Sequence, residues 1–314
     1  MSRVLVTGAA GFVGANLVRA LQASGNEVSV FLRRESKTWR LADLIPKLKV
    51  YPVDISDKEA VQKAVAEIQP EVVYHLATYG GYPSQKDIAV TFNTNLLGSL
   101  NLFQALESAD SLKKLVNIGS SSEYGIKIDL RRETDFLEPT TSYGVAKASQ
   151  TLLANYLGKQ KNFPVVTLRP FSVFGPYEEP GRLITDLMLA AVSDRTAKLS
   201  SPLTRRDFIY VDDILAACFR AAEISGQNGE VFNIGRGRDQ SIGDAVSLLE
   251  EIVGQKLSVE WGAEDKKRSF DTDQKWIADI SKAKKYLGWE PAHSFKDGLE
   301  KTYQWYCKNI SLYS

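Results

Sequence analysis

The stretch "VTGAAGFVG" constrains this chain more than any other. It sets Gly8, Gly11 and Gly14 directly after the apolar run "RVLVTG" and before "ANLVRALQAS", whose apolar residues recur at helical spacing. A strand turning sharply into a helix needs glycine at the turn, and close helix packing needs another. The middle glycine lets a backbone N–H approach an anion. The helix start, at Phe12 and Val13, then offers free N–H groups and a partial positive charge. The pattern predicts a parallel sheet that binds a dinucleotide diphosphate at its carboxyl edge. A glycine-rich turn with no ligand is the plain alternative.

The same rhythm continues downstream. Further strand candidates are "EVSVFLR" (27–33), "LKVYPVDI" (48–55), "EVVYHLA" (71–77), "KLVNIG" (114–119), "PVVTLRP" (164–170) and "GEVFNIG" (229–235). Between them lie segments such as "DKEAVQKAVAEI", "NTNLLGSLNLFQALESA" and "SYGVAKASQTLLANYLGKQ", which read better at period 3.6 than at period 2. Strand–helix alternation with nearly continuous apolar strands implies an α/β fold, a Rossmann-type doubly wound parallel sheet with helices on both faces. After about residue 172 turn residues accumulate. We therefore expect a dinucleotide-binding domain over 1–171, to which about 205–240 return, and a smaller lobe over 172–314 that grows from the strand ends and binds the substrate.

Composition excludes other classes. The net charge of +1 gives no field to attract nucleic acid. No apolar run approaches the roughly 18 residues that span a bilayer. The opening segment carries one arginine and breaks at glycines, so a cleavable leader is not expected there. Two cysteines, Cys218 and Cys307, suit a reducing compartment, and the expected location is cytoplasmic. With only His75 and His293, a multi-histidine metal site is not expected, and a Ser-His-Asp hydrolase is disfavoured. His75, inside "EVVYHLA", reads as a core histidine.

A carboxylate at the end of the second strand would hold a ribose 2′-hydroxyl, but the chain reads "VFLRRES". Arg33 and Arg34 suit a 2′-phosphate through charge-assisted bonds, so NADP(H) is favoured over NAD(H). Asp54 and Ile55, after the third strand, are candidates to meet the adenine. In "SYGVAK", Tyr143 and Lys147 are four residues apart and share one helical face. A cation near a phenol favours the phenolate. Bringing a phenol from about 10 to about 7 takes roughly 4 kcal/mol of differential stabilisation.

Taken in order, the glycine turn, "VDI", "HLA", "NTNLLGSLNL", "GSSSEYG", "SYGVAK", "LRPFSVFGP" and "RRDFIYVDDI" resemble the extended short-chain dehydrogenase/reductases that act on nucleotide sugars. The resemblance covers nearly the whole chain. It implies a catalytic tyrosine at Tyr143 and a lysine at Lys147 that holds the nicotinamide ribose. It implies a catalytic serine at Ser120, or at Ser121 if the loop is shorter by one. Asn95 would support the lysine through a bridging water, and Leu76, Ala77 and Pro170 would border the cofactor. Arg206 and Arg268 would bind the diphosphate of the sugar nucleotide, with Arg182 a weaker candidate. Thr78, Tyr79, Ser122 and Ser172 would face the sugar. Plain alternatives are an Arg206–Asp207 pair, and Arg268 as part of the charge run "EDKKR". The tail tryptophans read as packing residues. The resemblance further implies a homodimer through a four-helix bundle, with Leu152, Leu153, Tyr156 and Leu157 as its apolar face.

The family includes 4-epimerases, 4,6-dehydratases, 4-keto reductases and decarboxylases, so fold leaves the reaction open. The dehydratase acid/base pair is incomplete, since Ser121-Ser122-Glu123 supplies one carboxylate. The arginines after the second strand favour NADPH-dependent reduction of a nucleotide 4-keto-6-deoxyhexose. A 4-epimerase comes second and a 4,6-dehydratase third. A catalytically idle NADP(H) sensor or scaffold is the reading from a different class.

Overall fold

The structure, a computed structural model, describes residues 2–82, 84–127, 129–193, 195–263 and 276–313. The first half alternates β1 (Arg3–Thr7), α1 (Phe12–Ala23), β2 (Glu27–Phe31), β3 (Lys49–Tyr51), α2 (Lys58–Ile68) and β4 (Val72–His75). It continues through α3 (Ile88–Phe92), α4 (Gly98–Glu107), β5 (Lys114–Ile118), α5 (Ser142–Lys161), β6 (Val165–Pro170) and β7 (Ser172–Phe174). The second half holds α6 (Leu183–Val192), β8 (Ala197–Leu199), β9 (Arg205–Arg206), β10 (Phe208–Tyr210) and α7 (Val211–Glu223). It ends with β11 (Val231–Ile234), β12 (Gln240–Ser241), α8 (Ile242–Val253), β13 (Val259–Trp261), α9 (Ser281–Leu287) and α10 (Phe295–Asn309).

Seven strands form one parallel sheet in the order β11-β6-β5-β4-β1-β2-β3. The strand order reverses between β1 and β4, and ligands of open α/β sheets bind outside the strand ends at such a point. Apolar strands are buried because helices cover both faces. Val4, Val6 and Tyr74 pack with Leu17, Val18 and Ile214 on one side, and Leu5 and Val73 pack with Val61, Leu102 and Ala154 on the other. The edge strand β3 stops at Tyr51, one residue before Pro52, which has no N–H to give a ladder. Beyond β6, helices α6, α8 and α10 bury a separate core around Phe174, Phe208, Tyr210 and Phe295. No helix among the described residues is long and apolar enough to cross a membrane.

Local signals set the helix limits. Asp57 accepts the Ala60 N–H at 3.0 Å to cap α2, and Thr141 accepts the Gly144 N–H at 3.0 Å to cap α5. The segment "NTNLLGSLNLFQALESA" departs from a single regular helix. Asn93–Leu97 form a π-helical turn between α3 and α4. Its widened geometry brings the Asn95 side chain to the backbone of Tyr79, which donates to Oδ1 at 2.8 Å and accepts from Nδ2 at 2.8 Å. Such turns occur mostly near functional sites. The apolar face expected on α5 is corrected in one place. Leu152 and Tyr156 are exposed and Leu153 is half-buried, but Leu157 lies in the core against Phe163 and Val165.

Candidate active site

A cavity of about 830 Å³ opens at the carboxyl ends of β1, β4, β5 and β6 and runs into the second lobe. Its floor at one end is the glycine turn. Gly8 has φ +69°, and a Cβ there would lie 2.5 Å from the Leu76 carbonyl carbon. A Cβ on Gly14 would lie 2.2 Å from the Gly8 oxygen. Both positions therefore exclude any other residue without a backbone shift. Gly11 is the N-cap of α1 and provides no side-chain acceptor, so the first N–H groups of the helix are left for a ligand. Phe12 and Val13 border the cavity, and the Phe12 ring packs into the lobe core. This cradle fits a dinucleotide diphosphate.

Farther along the wall stand Arg33, Asp54, Ile55, Leu76 and Ala77. Asp54 Oδ1 accepts from the Ser56 N–H at 2.8 Å and its hydroxyl at 2.7 Å, which fixes the carboxylate locally. Arg34 is off the wall and exposed, a correction to the expected arginine pair. The Ser36 N–H bonds the Arg33 carbonyl at 3.0 Å, so Arg34 and Glu35 occupy the tip of a turn whose ends, Arg33 and Ser36, face the cavity.

The other end gathers Ser120, Ser121, Ser122, Tyr143 and Lys147, with Pro170 and Ser172 beside them. Ser120 caps the short turn Ser121–Glu123, its oxygen accepting the Ser122 N–H at 3.1 Å. Helix α5 begins against this loop, and a Cβ on Gly144 would meet the Ser122 carbonyl at 2.6 Å. That packing brings Tyr143 to Ser120. Burial raises the phenol above its ordinary range, while hydrogen bonding to Ser120, the Arg182 charge and hydrogen bonding to Thr78 pull it back. The Lys147 ammonium turns to the Ile118 carbonyl and to Gln150 Oε1, the latter at 2.5 Å. Burial pushes it down to about 8, against the opposing charge of Glu123.

Two ambiguities of the serine loop are separated by their partners. Ser121 Oγ accepts from the Trp276 indole at 3.2 Å, whereas Ser120 pairs with Tyr143. Glu123 is fully buried away from the cavity and bound to Arg169 at 2.7 Å, the Ser120 N–H at 2.7 Å and the Thr151 hydroxyl at 3.0 Å. It is a structural carboxylate, so the single acid of "GSSSEYG" does not face the site. Trp276, expected as packing, does pack with Tyr124 and Phe171, but it also borders the cavity.

Thr78 and Tyr79 border the cavity after β4. Asn95 sits behind them and is not on the wall. Its amide is used to clamp Tyr79, and its Oδ1 also accepts the Thr78 hydroxyl at 3.2 Å. Arg182 lies over the Tyr82 ring at 4.7 Å and donates to the Gly81 carbonyl. Arg206 is buried on the wall, donating to the Arg205 carbonyl at 2.7 Å. The neighbouring Asp207 carboxylate is turned elsewhere, to the N–H groups of Arg236, Gly237 and Ala278 at 2.7–3.1 Å. Arg268 lies outside the described residues. Glu178 and Lys198, also on the wall, carried no motif that singled them out.

His75 is a core histidine. Its Nδ1 lies 2.7 Å from the Thr7 hydroxyl and its Nε2 lies 2.8 Å from the Ser99 hydroxyl. Burial first, then the Lys147 charge, pushes it down to about 3 from 6.5. Between those values the unfolded chain binds a proton that the folded chain refuses. This group's contribution is therefore complete above pH 6.5 and falls as pH drops toward 3, at roughly 1.4 kcal/mol per pH unit. Melts of wild type and His75→Gln between pH 7 and pH 4 check this: the variant should show a shallower loss, and equal slopes would contradict it.

The chain matches the sequence profile of the NAD dependent epimerase/dehydratase family over residues 4–235. It is 31% identical to the UDP-glucuronate 4-epimerase of Thermodesulfobacterium geofontis, covering 99% of this chain and 98% of that one. It is 27% identical to the dTDP-glucose 4,6-dehydratase of Neisseria meningitidis, covering 98% and 94%. Among solved structures it is similar to the UDP-glucuronic acid 4-epimerase from Bacillus cereus in complex with UDP-glucuronic acid and NAD. The TM-score is 0.85 at 31% identity, covering 98% of this chain and 99% of that one. Matches of this extent, on a fold whose glycine turn and tyrosine helix meet in one cavity, make the chain a member of the NAD dependent epimerase/dehydratase family, the nucleotide-sugar enzymes of the extended short-chain dehydrogenase/reductases.

Proposed function

We propose that the protein reduces the 4-keto group of a nucleotide-linked 4-keto-6-deoxyhexose, with NADPH as the reductant. The observation that carries this reading is the pairing of Tyr143 with Ser120 beside Lys147, at the end of the cavity opposite Arg33. A phenol held protonated by burial is the form that donates to an oxygen gaining negative charge, as ketone reduction requires. The Ser120 oxygen already accepts an N–H, which leaves its own proton for the same substrate oxygen. Lys147 would hold a ribose hydroxyl of the bound cofactor and would favour charge on the phenolate after transfer. When bound, the nicotinamide supplies the hydride. Arg33, with no carboxylate at the end of β2, favours a 2′-phosphate, and Arg206 with Arg182 suits a diphosphate. Arg268 is proposed for the same diphosphate on the resemblance alone.

A 4-epimerase that retains NAD is the second reading, favoured by the relatives at 31% identity. A dehydratase is disfavoured by the burial of Glu123. Denaturing the purified protein and identifying released cofactor, then measuring NADPH oxidation with a panel of 4-keto sugar nucleotides, separates these. NADPH turnover with little retained cofactor is expected. Stoichiometric retained NAD without NADPH turnover would favour the epimerase, and neither cofactor nor turnover would favour a sensor.

The exposed apolar residues Ile88, Leu97, Leu152 and Tyr156, on α3 to α5, support a homodimer through a four-helix bundle. Light scattering should give the mass of two chains, and a single-chain mass would overturn the dimer.

A further inference from the structure

We propose that Gln150 is a positioning residue that aims Lys147 into the cavity, an inference that rests on Lys147 acting as proposed above. Gln150 lies on α5, three residues beyond Lys147, and is fully buried. Its Oε1 accepts from Lys147 Nζ at 2.5 Å, and its Nε2 donates to Ser99 Oγ at 2.9 Å. The Ser99 hydroxyl donates to the Asn95 carbonyl at 2.6 Å, so its oxygen can only accept from Gln150 and from His75 Nε2. The Thr7 hydroxyl completes the chain by donating to His75 Nδ1.

This sequence of donors leaves Gln150 one orientation. Flipped, its amide would set N–H groups against the ammonium and its oxygen against an oxygen with no proton to give. The amide therefore holds Lys147 from a scaffold that joins β1, β4, the π-helical turn and α5. One N–H of the ammonium is directed to Gln150 and a second to the Ile118 carbonyl. The third is left for the cavity that Lys147 borders. The charged and titratable groups facing Lys147 are Glu123, from the turn after β5 and bound to Arg169, the neutral His75 of β4, and Tyr143 one turn earlier on α5. Gln150 contributes a dipole to this group and no charge. A carboxylate at 150 would change the ammonium's balance directly.

The test follows Lys147 itself. Protein carrying 13Cε-labelled lysine is titrated by NMR without cofactor, with Lys147→Met assigning the signal. Gln150→Glu is expected to raise the Lys147 midpoint by about 1–3 pH units, and the alkaline limb of kcat/KM should move with it. Gln150→Met, similar in length but without the amide, is expected to weaken NADP(H) binding about tenfold, as loss of a bond to a charged group would. An unmoved midpoint in Gln150→Glu would overturn the proposal. So would a Gln150→Met protein that loses only melting temperature, with dissociation constant and pH profile unchanged. If the wild-type enzyme turns over no sugar nucleotide, the assignment of function fails, while the titration still judges the contact.

Discussion

Tyr143→Phe is expected to lower kcat by about 10²–10⁴-fold, the usual weight of a positioned acid, while the dinucleotide dissociation constant stays near wild type. The phenol is the titratable hydroxyl that Ser120 and Thr78 both approach, and its removal leaves the glycine turn, Arg33 and Lys147 intact. The ring itself stays, so the packing of α5 against the serine loop persists. Initial rates together with fluorescence titration of NADPH check both halves. Near-wild-type turnover would remove Tyr143 from the chemistry, and lost cofactor binding would show that the ring, and not the hydroxyl, was the important part.

The largest effect on stability is expected at Arg169. Arg169 and Glu123 are both buried, joined at 2.7 Å, and the guanidinium also donates to the Tyr124 hydroxyl at 3.0 Å. Arg169→Met leaves a buried carboxylate without its counter-charge, a loss of about 3–5 kcal/mol. The melting temperature should fall by roughly 5–8 °C. Adding Glu123→Gln removes the stranded charge and should recover part of that fall. Calorimetry of the two proteins checks it. A single variant that melts like wild type would mean that the pair does not hold the loop carrying Ser120.

Much of the site was legible because its signals are local. The glycine turn, the apolar strands and the four-residue spacing of Tyr143 and Lys147 each depend on neighbours within a few positions. The details that escaped depend on partners far along the chain. Glu123 is held away from the cavity by Arg169, 46 residues along the chain, and Ser121 is bonded by Trp276, 155 residues away. Gln150 carried no motif, since its meaning comes from Ser99, 51 residues earlier. Arg33 and Arg34 look equivalent in sequence, and the turn closed by Ser36 separates them. The π-helical turn at Asn95 was hidden because helical spacing does not reveal one wide turn within a longer helical run.

The central claim is hydride transfer to carbon 4 of a nucleotide sugar from an exchangeable NADPH. The most direct measurement supplies NADPH deuterated at the transferring carbon, together with a nucleotide 4-keto-6-deoxyhexose, and examines the product by mass spectrometry and NMR. One deuterium at carbon 4, with one NADPH consumed per product, is the predicted result. No NADPH consumption and no deuterium incorporation with the 4-keto sugar, together with redox-neutral interconversion of a nucleotide hexose and its 4-epimer by enzyme retaining tightly bound NAD, would contradict it.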